Sequence, residues 1–340
     1  MWMIYGANGY TGELIAREAV KRGEKPLLAG RDAEKVGALA RELGLEARVF
    51  PVDRPDLRDV SLVLHCAGPF KHTSAPMVQA CLDAGAHYLD ITGEIAVFES
   101  VMALDAEARR RGVTLLPGVG FDVVPTDCLA AMLAAKLPGA DELWLAFRNS
   151  RGGLSRGTIR TMLEGIGDGG AIRRDGKIVR VPLLFDVRKI AFPSGERLAM
   201  TIPWGDVATA YYTTGIPNIR VYSGASPKAI ARARRMRFLA PLAAITPIKR
   251  LLQAIAGRRR GPDAEHRAAA RTELWGRVAR RDGAEATMTM STPEGYTLTV
   301  LSSLAAVARV LSEPVQPGSF TPAKRFGAEF VLGLEGVKLT

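Results

Sequence analysis

Cysteine and histidine are both scarce in this chain, with three cysteines and four histidines among 340 residues. The cysteines lack the paired spacing of a disulfide framework, which suits a reducing compartment. The histidines are equally scattered, and their spacing does not fit a zinc or iron site. We therefore expect free thiols and no metal centre. The residues concerned are Cys66, Cys81, Cys128, His65, His72, His87 and His266.

An export signal is also missing, because no basic, apolar and small-residue pattern precedes the first predicted strand at Trp2. We expect a cytoplasmic protein on this ground. The sequence shows no internal repeat and no low-complexity tail, and 47% of its residues are hydrophobic. A chain of this length and composition can bury a sizeable core and is expected to form two compact units.

Positive charge is abundant but confined to one segment. The net charge is +11, and residues 225–281 hold fifteen Lys and Arg against three acidic residues. Within 228–260, basic clusters flank an apolar run over 238–248, which is too short for the ~20 residues of a membrane span. Two interpretations stay open: peripheral association with an anionic membrane at its inner face, and a solvated helix pair or homodimer interface. Nucleic-acid binding is not expected, because few aromatic residues accompany the charge.

The first twelve residues carry the most informative motif. Trp2–Tyr5 is predicted to be a strand, and a turn with three glycines leads from it into an amphipathic helix over 13–22. In such a unit the glycines permit a tight turn, close approach of backbone N–H groups to a diphosphate, and packing of helix on strand. The sequence thus predicts a dinucleotide site that includes Gly6, Asn8, Gly9, Tyr10, Thr11 and Gly12.

The end of the second predicted strand indicates the phosphate preference. Arg31 and Asp32 both follow this strand, where NAD enzymes present a carboxylate and NADP enzymes an arginine. Asp32 precedes a helical run over 33–43 and is a natural N-cap, which leaves Arg31 to meet a 2′-phosphate. We therefore expect NADP(H), with a solvated surface arginine as the alternative for Arg31. Asp53, at the end of the predicted third strand over 47–53, is included in the cofactor site.

Residues 1–125 alternate strand-like and helix-like runs, which predicts a doubly wound parallel sheet of the Rossmann type. Residues 126–317 are richer in strands and are expected to form an inserted α+β substrate domain, with a hairpin around Asp282 and Gly283. Residues 318–340, with a predicted helix over 320–332 that Thr321 caps, are expected to return to the first domain. The fourth strand should end beside the cofactor, at Ala67, Gly68, Pro69 and Phe70, and a helix is predicted after it over 76–84.

Hydride transfer requires a nicotinamide held against an electrophilic carbon and, for most acceptors, a proton donor. The Tyr-x-x-x-Lys pair of short-chain dehydrogenases is absent from the sequence. The candidates at predicted strand ends are Tyr88, Glu94 and Asp122. Each has a structural alternative: Tyr88 as a core aromatic, Glu94 as the cap of the next helix, and Asp122 as a residue that fixes a turn.

Five motifs of the first domain resemble the saccharopine dehydrogenase-like oxidoreductases, at 6–12, 29–31, 66–70, 88–94 and 120–127. Later segments at 152–158, 203–206, 295–299 and 317–323 are similar to the branch with the trans-acting enoyl reductases of bacterial lipid synthesis. The resemblance implies an NADP-dependent oxidoreductase with an inserted second domain and an enoyl, acyl or lipid-like acceptor. A soluble imine or amino-acid reductase and a non-catalytic NADPH-binding scaffold are the alternatives.

Overall fold

The computed structural model describes residues 1–150, 169–236 and 261–340, and two β-sheets organise them. All strand pairs of the first sheet are parallel. Its strands are β1 (Trp2–Tyr5), β2 (Leu27–Gly30), β3 (Ala47–Val49), β4 (Leu62–His65), β5 (His87–Asp90), β6 (Thr114–Leu116) and β15 (Gly318–Ser319). The helices that accompany them are α1 (Tyr10–Lys21), α2 (Ala33–Leu43), α3 (Phe70–Ala84), α4 (Ile95–Met102) and α5 (Asp105–Arg111).

The strand order of the first sheet is β15-β6-β5-β4-β1-β2-β3. The chain therefore runs from β1 towards one edge through β2 and β3, and from β4 towards the other edge through β5 and β6. Open α/β sheets bind ligands at such a reversal, in the crevice outside the carboxyl ends of the strands. This topology confirms the predicted Rossmann-type sheet and places its crevice between β1 and β4.

Both faces of the first sheet are buried, because successive strand residues point to opposite sides. Ile4 packs with Leu28 and Leu64 on one face, whereas Met3 and Val63 pack on the other. Near-continuous apolar strands of this kind are typical of a parallel sheet that helices cover on both sides.

The second sheet is mixed: β7 and β12 run parallel, and the other pairs are antiparallel. The pairing of β13 with β14 confirms the predicted hairpin around Gly283. Its strands are β7 (Glu142–Asn149), β8 (Gly170–Arg174), β9 (Lys177–Val181), β10 (Val187–Phe192), β11 (Gly195–Thr201), β12 (Asn218–Gly224), β13 (Arg271–Ala279), β14 (Glu285–Pro293) and β16 (Lys338–Leu339). The remaining helices are α6 (Val124–Lys136), α7 (Asp206–Thr214), α8 (Pro227–Met236), α9 (Ala264–Ala269), α10 (Gly295–Ser312) and α11 (Pro322–Phe326), followed by a 3₁₀ turn over Phe330–Gly333.

Three predicted boundaries are corrected. The third strand ends at Val49, and Asp53 lies in a turn beyond it. The helix predicted over 76–84 begins at Phe70. The last helix ends at Phe326 rather than continuing to residue 332, because Gly327 leaves the helical conformation at φ +91°.

The closing segment of the chain contacts both sheets. Thr321 caps α11, as predicted, and its hydroxyl oxygen accepts the Lys324 amide at 3.3 Å. Strand β15 pairs with β6 of the first sheet, whereas β16 pairs with β14 of the second. Helix α10 is the one helix in the described ranges long and apolar enough to cross a membrane. Half of it is buried, and it contacts α1, β4 and β14, as a core helix does.

Of the basic segment predicted over 228–260, the structure describes only the part in α8. Lys228, Arg232, Arg234 and Arg235 are exposed on this helix, whereas Ile230 is buried. Residues 237–260 lie outside the described residues.

Arg173 of β8 joins the two sheets through a buried ion pair. Its guanidinium donates to Glu99 of α4 at 2.8 Å, and also to the carbonyl oxygens of Gly176 and Val207 at 2.7 and 2.8 Å. Only 4% of its side chain is exposed, whereas Glu99 is 38% exposed. A buried guanidinium with three acceptors fixes the position of β8 against α4, because each acceptor would lose its partner if the contact opened.

We expect Arg173→Ala to lower the free energy of unfolding by about 3 kcal/mol, the low end for a broken buried ion pair, because water reaches Glu99. Urea unfolding followed by circular dichroism measures the change. Arg174→Ala is the matched control, since Arg174 is the exposed neighbour on the same strand. An equal effect of the two substitutions would contradict the role of Arg173.

Candidate functional site

The glycine turn after β1 brings three backbone segments together. The amides of Gly6 and Ala7 donate to the carbonyl oxygen of Ala29 at the end of β2, at 2.8 and 3.1 Å. Gly6 has φ +85°, and a Cβ on it would lie 2.8 Å from the amide nitrogen of Ala67 after β4. A Cβ on Gly12 would lie 2.4 Å from the carbonyl oxygen of Gly6. Only glycine fits at either position, and this allows α1 to pack directly on the turn.

The start of α1 fits a phosphate group. Gly9 is its N-cap and supplies no side-chain hydrogen bond, so the first amides of the helix, from Tyr10 onward, have no side-chain cap. Uncapped amides and the positive end of the helix dipole together bind anions. Asn8 and Thr11 flank this turn, and Asn8 Oδ1 lies against Gly30 of β2, 3.1 Å from the position of a Cβ there. The residues of the turn therefore fit the diphosphate of a dinucleotide.

The capping role predicted for Asp32 is confirmed, and the binding of a 2′-phosphate by Arg31 stays a prediction. Asp32 caps α2: its Oδ1 accepts the Lys35 amide at 3.1 Å and its Oδ2 accepts Lys35 Nζ at 2.7 Å. Arg31 is exposed at the carboxyl end of β2. Burial raises the pKa of Tyr5, the charge of Arg31 lowers it and that of Asp53 raises it, so both charges lie near the end of β1. This edge can hold the adenosine end of a dinucleotide.

The residues after β4 form the other side of the crevice. Ala67 lies against Gly6, and Thr73 Oγ1 donates to the carbonyl oxygen of Ala67 at 2.7 Å. Gly68 and Pro69 lead from there into α3, whose first residue is Phe70. The strand pairing of β1 with β4 therefore brings the predicted cofactor residues of both strands to one edge of the sheet.

Glu94 caps a helix, but a different helix from the one expected. Its two carboxylate oxygens accept the amides of Phe70 and Lys71 at 2.8 and 2.9 Å, at the start of α3. It makes no side-chain cap to α4, which follows it in sequence. Burial raises the pKa of Glu94, and these two amide bonds oppose the rise. The contacts account for Glu94 as a structural residue that fastens the end of β5 to α3.

Tyr88 belongs to a buried hydrogen-bond network. Its side chain is fully buried, and its hydroxyl donates to Asp90 Oδ2 at 2.7 Å. Asp90 Oδ1 accepts the amides of Thr92 and Gly118 at 3.0 and 2.9 Å, which ties β5 to the turn after β6. A phenol enclosed in this way has no path to a substrate, so the geometry favours the core-aromatic alternative for Tyr88.

Asp122 differs from the other carboxyls at this edge. Its side chain is half-buried, and in the described part of the chain no donor lies within hydrogen-bond range of its carboxylate. The carboxylate lies against Gly93, where a Cβ would approach Oδ2 to 2.6 Å. Burial, and then the charge of Glu94, raise the pKa of Asp122 to about 7. A carboxyl that is partly protonated at neutral pH and reaches solvent can act as a general acid.

The second unit, which is built on the second sheet, contacts Asp122 in a way that sequence reasoning missed. Trp204 Nε1 donates to the carbonyl oxygen of Asp122 at 2.8 Å. The rings of Phe121, Phe147 and Trp204 contact one another in series, with centroids 5.7 and 4.9 Å apart. Asp206 follows directly, fully buried, and burial raises its pKa well above the ordinary value. In the sequence, only the short segment 203–206 pointed to this region. Nothing in that segment indicates a contact with residue 122.

Residues 2–116 match the family profile of the saccharopine dehydrogenase NADP-binding domain. The match lies within the amino-terminal unit and covers about a third of the chain. The match agrees with the geometry, since it covers the glycine turn, Arg31 and the residues after β4 and β5. It confirms the resemblance and the NADP(H) expectation drawn from the sequence.

The curated relatives of this chain carry names that indicate different reactions. A candidate trans-acting enoyl reductase of Mycobacterium tuberculosis is 33% identical over 180 residues, which cover 48% of this chain and 43% of the relative. A human saccharopine dehydrogenase-like oxidoreductase is 26% identical over 207 residues, 51% of this chain and 47% of the relative. The chain thus spans about half the length of the curated relatives it matches.

The fold has a counterpart over the whole chain. The apo structure of saccharopine dehydrogenase (L-Glu forming) from Saccharomyces cerevisiae aligns with a TM-score of 0.67, covering 100% of this chain and 99% of that one. The two sequences are 13% identical, so the likeness concerns the fold alone.

We expect Arg31→Ala to raise the Kd of NADPH about 10- to 100-fold, because charge-assisted hydrogen bonds to the 2′-phosphate are lost. The Kd of NADH should change little, since it has no such phosphate. Titration of both nucleotides by calorimetry measures the difference, with Arg41→Ala, at the far end of α2, as the control. Equal weakening of NADPH and NADH would refute the assignment of Arg31.

Proposed function

We propose that this protein is an NADPH-dependent oxidoreductase that reduces an enoyl or acyl, lipid-like acceptor, with Asp122 as the proton donor. The observation that carries the proposal is the Asp122 carboxyl. It lies half-buried at the carboxyl edge of an NADP-binding sheet, with no hydrogen-bond donor on it among the described residues and a pKa near 7. Tyr88 and Glu94 have their polar atoms committed to the protein, which leaves Asp122 for the chemistry.

The position of Asp122 in the strand order supports this role. Arg31 follows β2, on one side of the crevice, and is suited to the adenosine end. Asp122 follows β6, on the other side, towards which the nicotinamide end would extend. NADPH supplies a hydride when it is bound. For an enoyl thioester, the hydride adds to the β-carbon and a proton adds to the α-carbon, so that one C=C bond is replaced by two C–H bonds. Asp122 holds that proton on a carboxyl oxygen until the acceptor takes it.

The neighbourhood of Asp122 favours an apolar acceptor. Trp204 is half-buried beside Asp122 and is backed by the buried rings of Phe121 and Phe147, and an apolar side chain of this kind can bind an acyl chain by excluding water. The candidate enoyl reductase among the relatives supports the same acceptor class.

A saccharopine-type reductase that acts on an imine of an amino acid is the second candidate. It is supported by the domain family and by the likeness of the whole fold to the yeast saccharopine dehydrogenase. Such an acceptor requires an arginine and a carboxylate as partners for its zwitterion. Among the described residues, the side chain that contacts Asp122 from the second unit is the apolar Trp204 rather than an arginine, and we therefore prefer the lipid-like acceptor.

We expect Asp122→Asn to lower kcat by about 10²- to 10⁴-fold, because the amide cannot donate the proton. The Kd of NADPH should stay unchanged. For the unsubstituted protein, kcat should fall about tenfold per unit as pH rises above 7, since the acid form of Asp122 is lost there. Initial rates of NADPH oxidation between pH 5 and 9 measure both effects.

The control is Asp175→Asn, which changes an exposed carboxylate in the turn between β8 and β9 and should leave the pH profile unchanged. Two acceptors are compared with 4-deuterated NADPH: an enoyl thioester and an imine formed from L-glutamate. Deuterium in the saturated thioester supports the first proposal, and deuterium in the amine supports the second. NADPH binding without transfer to any acceptor in a lysate would instead support a scaffold.

We also propose that the protein associates peripherally with anionic membranes at the inner face, through the segment 228–260. The support is the set of exposed basic side chains on α8, at Lys228, Arg232, Arg234 and Arg235. Basic residues close to an anionic surface contribute about 1 kcal/mol each. A homodimer formed through the same segment is the alternative.

We expect the quadruple change of Lys228, Arg232, Arg234 and Arg235 to Gln to reduce flotation with vesicles that contain anionic lipid, since it removes four of the ten basic residues of 228–260. Vesicles of neutral lipid serve as the control and should bind neither protein. Unchanged flotation of the variant would contradict the membrane proposal. A dimer in sedimentation that the same substitutions dissociate would favour the dimer interface.

A further inference from the structure

Arg267 is a residue of the second unit that reaches the glycine turn of the first. It lies on α9, and its Nη1 donates to the Tyr10 hydroxyl at 2.9 Å and to the carbonyl oxygen of Pro262 at 2.7 Å. The Tyr10 hydroxyl donates to the same carbonyl oxygen at 2.5 Å. Pro262 and Arg267 therefore meet Tyr10, which is more than 250 positions away in sequence and is the first residue of α1, directly after Gly9.

The packing around this contact is close. The Tyr10 ring lies edge-on to Tyr296 at the start of α10, with ring centroids 4.9 Å apart. A Cβ on Gly261 would lie 2.5 Å from the Tyr10 ring, so only glycine fits there. Burial raises the pKa of Tyr10 to about 12, and the phenol remains a neutral hydrogen-bond donor. Residues 261–267 are thus closely packed against the glycine turn.

The charge of Arg267 is not neutralised by a direct partner. Within residues 1–150, 169–236 and 261–340, no carboxylate forms an ion pair with it. Glu294 lies near enough for Arg267 to lower its pKa, but its carboxylate is used by the amides of Tyr296 and Thr297 at 2.9 and 3.1 Å. A cation beside the positive end of α1 is electrostatically unfavourable unless an anion joins them.

We propose that Arg267 binds the diphosphate of the dinucleotide and so holds α9 against the glycine turn. This inference rests on the proposed function, because it takes NADPH to be the ligand of the crevice. The guanidinium has further donors, on Nε and Nη2, in the planar arrangement that matches phosphate oxygens. The second unit thereby contributes to cofactor affinity, and the bound diphosphate in turn stabilises the contact between the two units.

Arg267→Gln tests the inference, because glutamine retains a hydrogen-bond donor but removes the charge. We expect the Kd of 2′-phospho-ADP-ribose, which contains the diphosphate, to rise about 10- to 100-fold. The Kd of adenosine 2′-phosphate, which lacks the diphosphate, should stay the same. Calorimetric competition with NADPH measures both constants. Arg267→Lys keeps the charge without the planar donors and should weaken only the diphosphate ligand, by severalfold.

Arg271→Gln is the matched control, because Arg271 is exposed at the start of β13 and donates only to nearby carbonyl oxygens, of Ala268 and Ala270. Hydrogen exchange supplies a second readout: NADPH should slow exchange of the amides over 261–270 in the unsubstituted protein but not in Arg267→Gln.

The role of Arg267 would be overturned if Arg267→Gln raised the Kd of both ligands equally. It would also be overturned if NADPH slowed exchange over 261–270 equally in the variant and in the unsubstituted protein. If Arg267→Gln does not fold, Arg267→Lys decides by the same two ligands. Failure of the unsubstituted protein to bind either ligand would refute the proposed function itself. If both ligands bind tightly and their Kd values are the same in Arg267→Gln, only this inference is refuted.

Discussion

The close approach of backbone at the carboxyl end of β1 is the constraint on which the site depends. No side chain fits between Gly6 and Ala67, or between Gly12 and the Gly6 carbonyl oxygen. Because these contacts are made by backbone alone, α1 begins at the point where the strand order of the sheet reverses. The uncapped amides of that helix therefore face the crevice in which open α/β sheets bind nucleotides.

The carboxyls beyond this turn have different roles because their surroundings differ. Glu94 receives two amide hydrogen bonds, and Asp90 receives two amides and a phenol, so both act as joints between strand ends and neighbouring elements. Asp122 is partly buried, and among the described residues its carboxylate receives no hydrogen bond that would compensate for the burial. Burial without hydrogen bonds stabilises the protonated form, and on this ground Asp122 is the proposed proton donor.

The second unit completes the site rather than simply lying beside it. Trp204 binds the backbone of Asp122, and Gly205 lies so close to Gly93 that a Cβ there would be 3.2 Å from the Gly93 carbonyl oxygen. Arg173 holds the same unit against α4 through Glu99. The end of β5, the turn after β6 and the start of α7 are therefore kept in register by contacts across the two sheets.

Local pattern by itself determined the strand–turn–helix at the start, the capping role of Asp32 that leaves Arg31 exposed, and the hairpin around Gly283. These features depend on residues within a few positions of one another. Their physical causes are glycine conformation, helix capping and turn geometry, which act over short stretches of sequence. The length of α3 was underestimated for the opposite reason. Its start is capped by Glu94, which lies more than twenty residues further along the chain.

Tyr88, Glu94 and Asp122 differ as candidate proton donors only in their tertiary contacts. Tyr88 lies within β5, and Glu94 and Asp122 follow β5 and β6 of the same sheet, so local sequence pattern does not separate them. The three residues differ in the hydrogen-bond donors that reach their oxygen atoms and in their exposure to water. Both properties depend on elements that are distant in sequence. The approach of Trp204 to Asp122 and of Arg267 to Tyr10 has the same origin: packing of the second unit brings together residues that no local pattern connects.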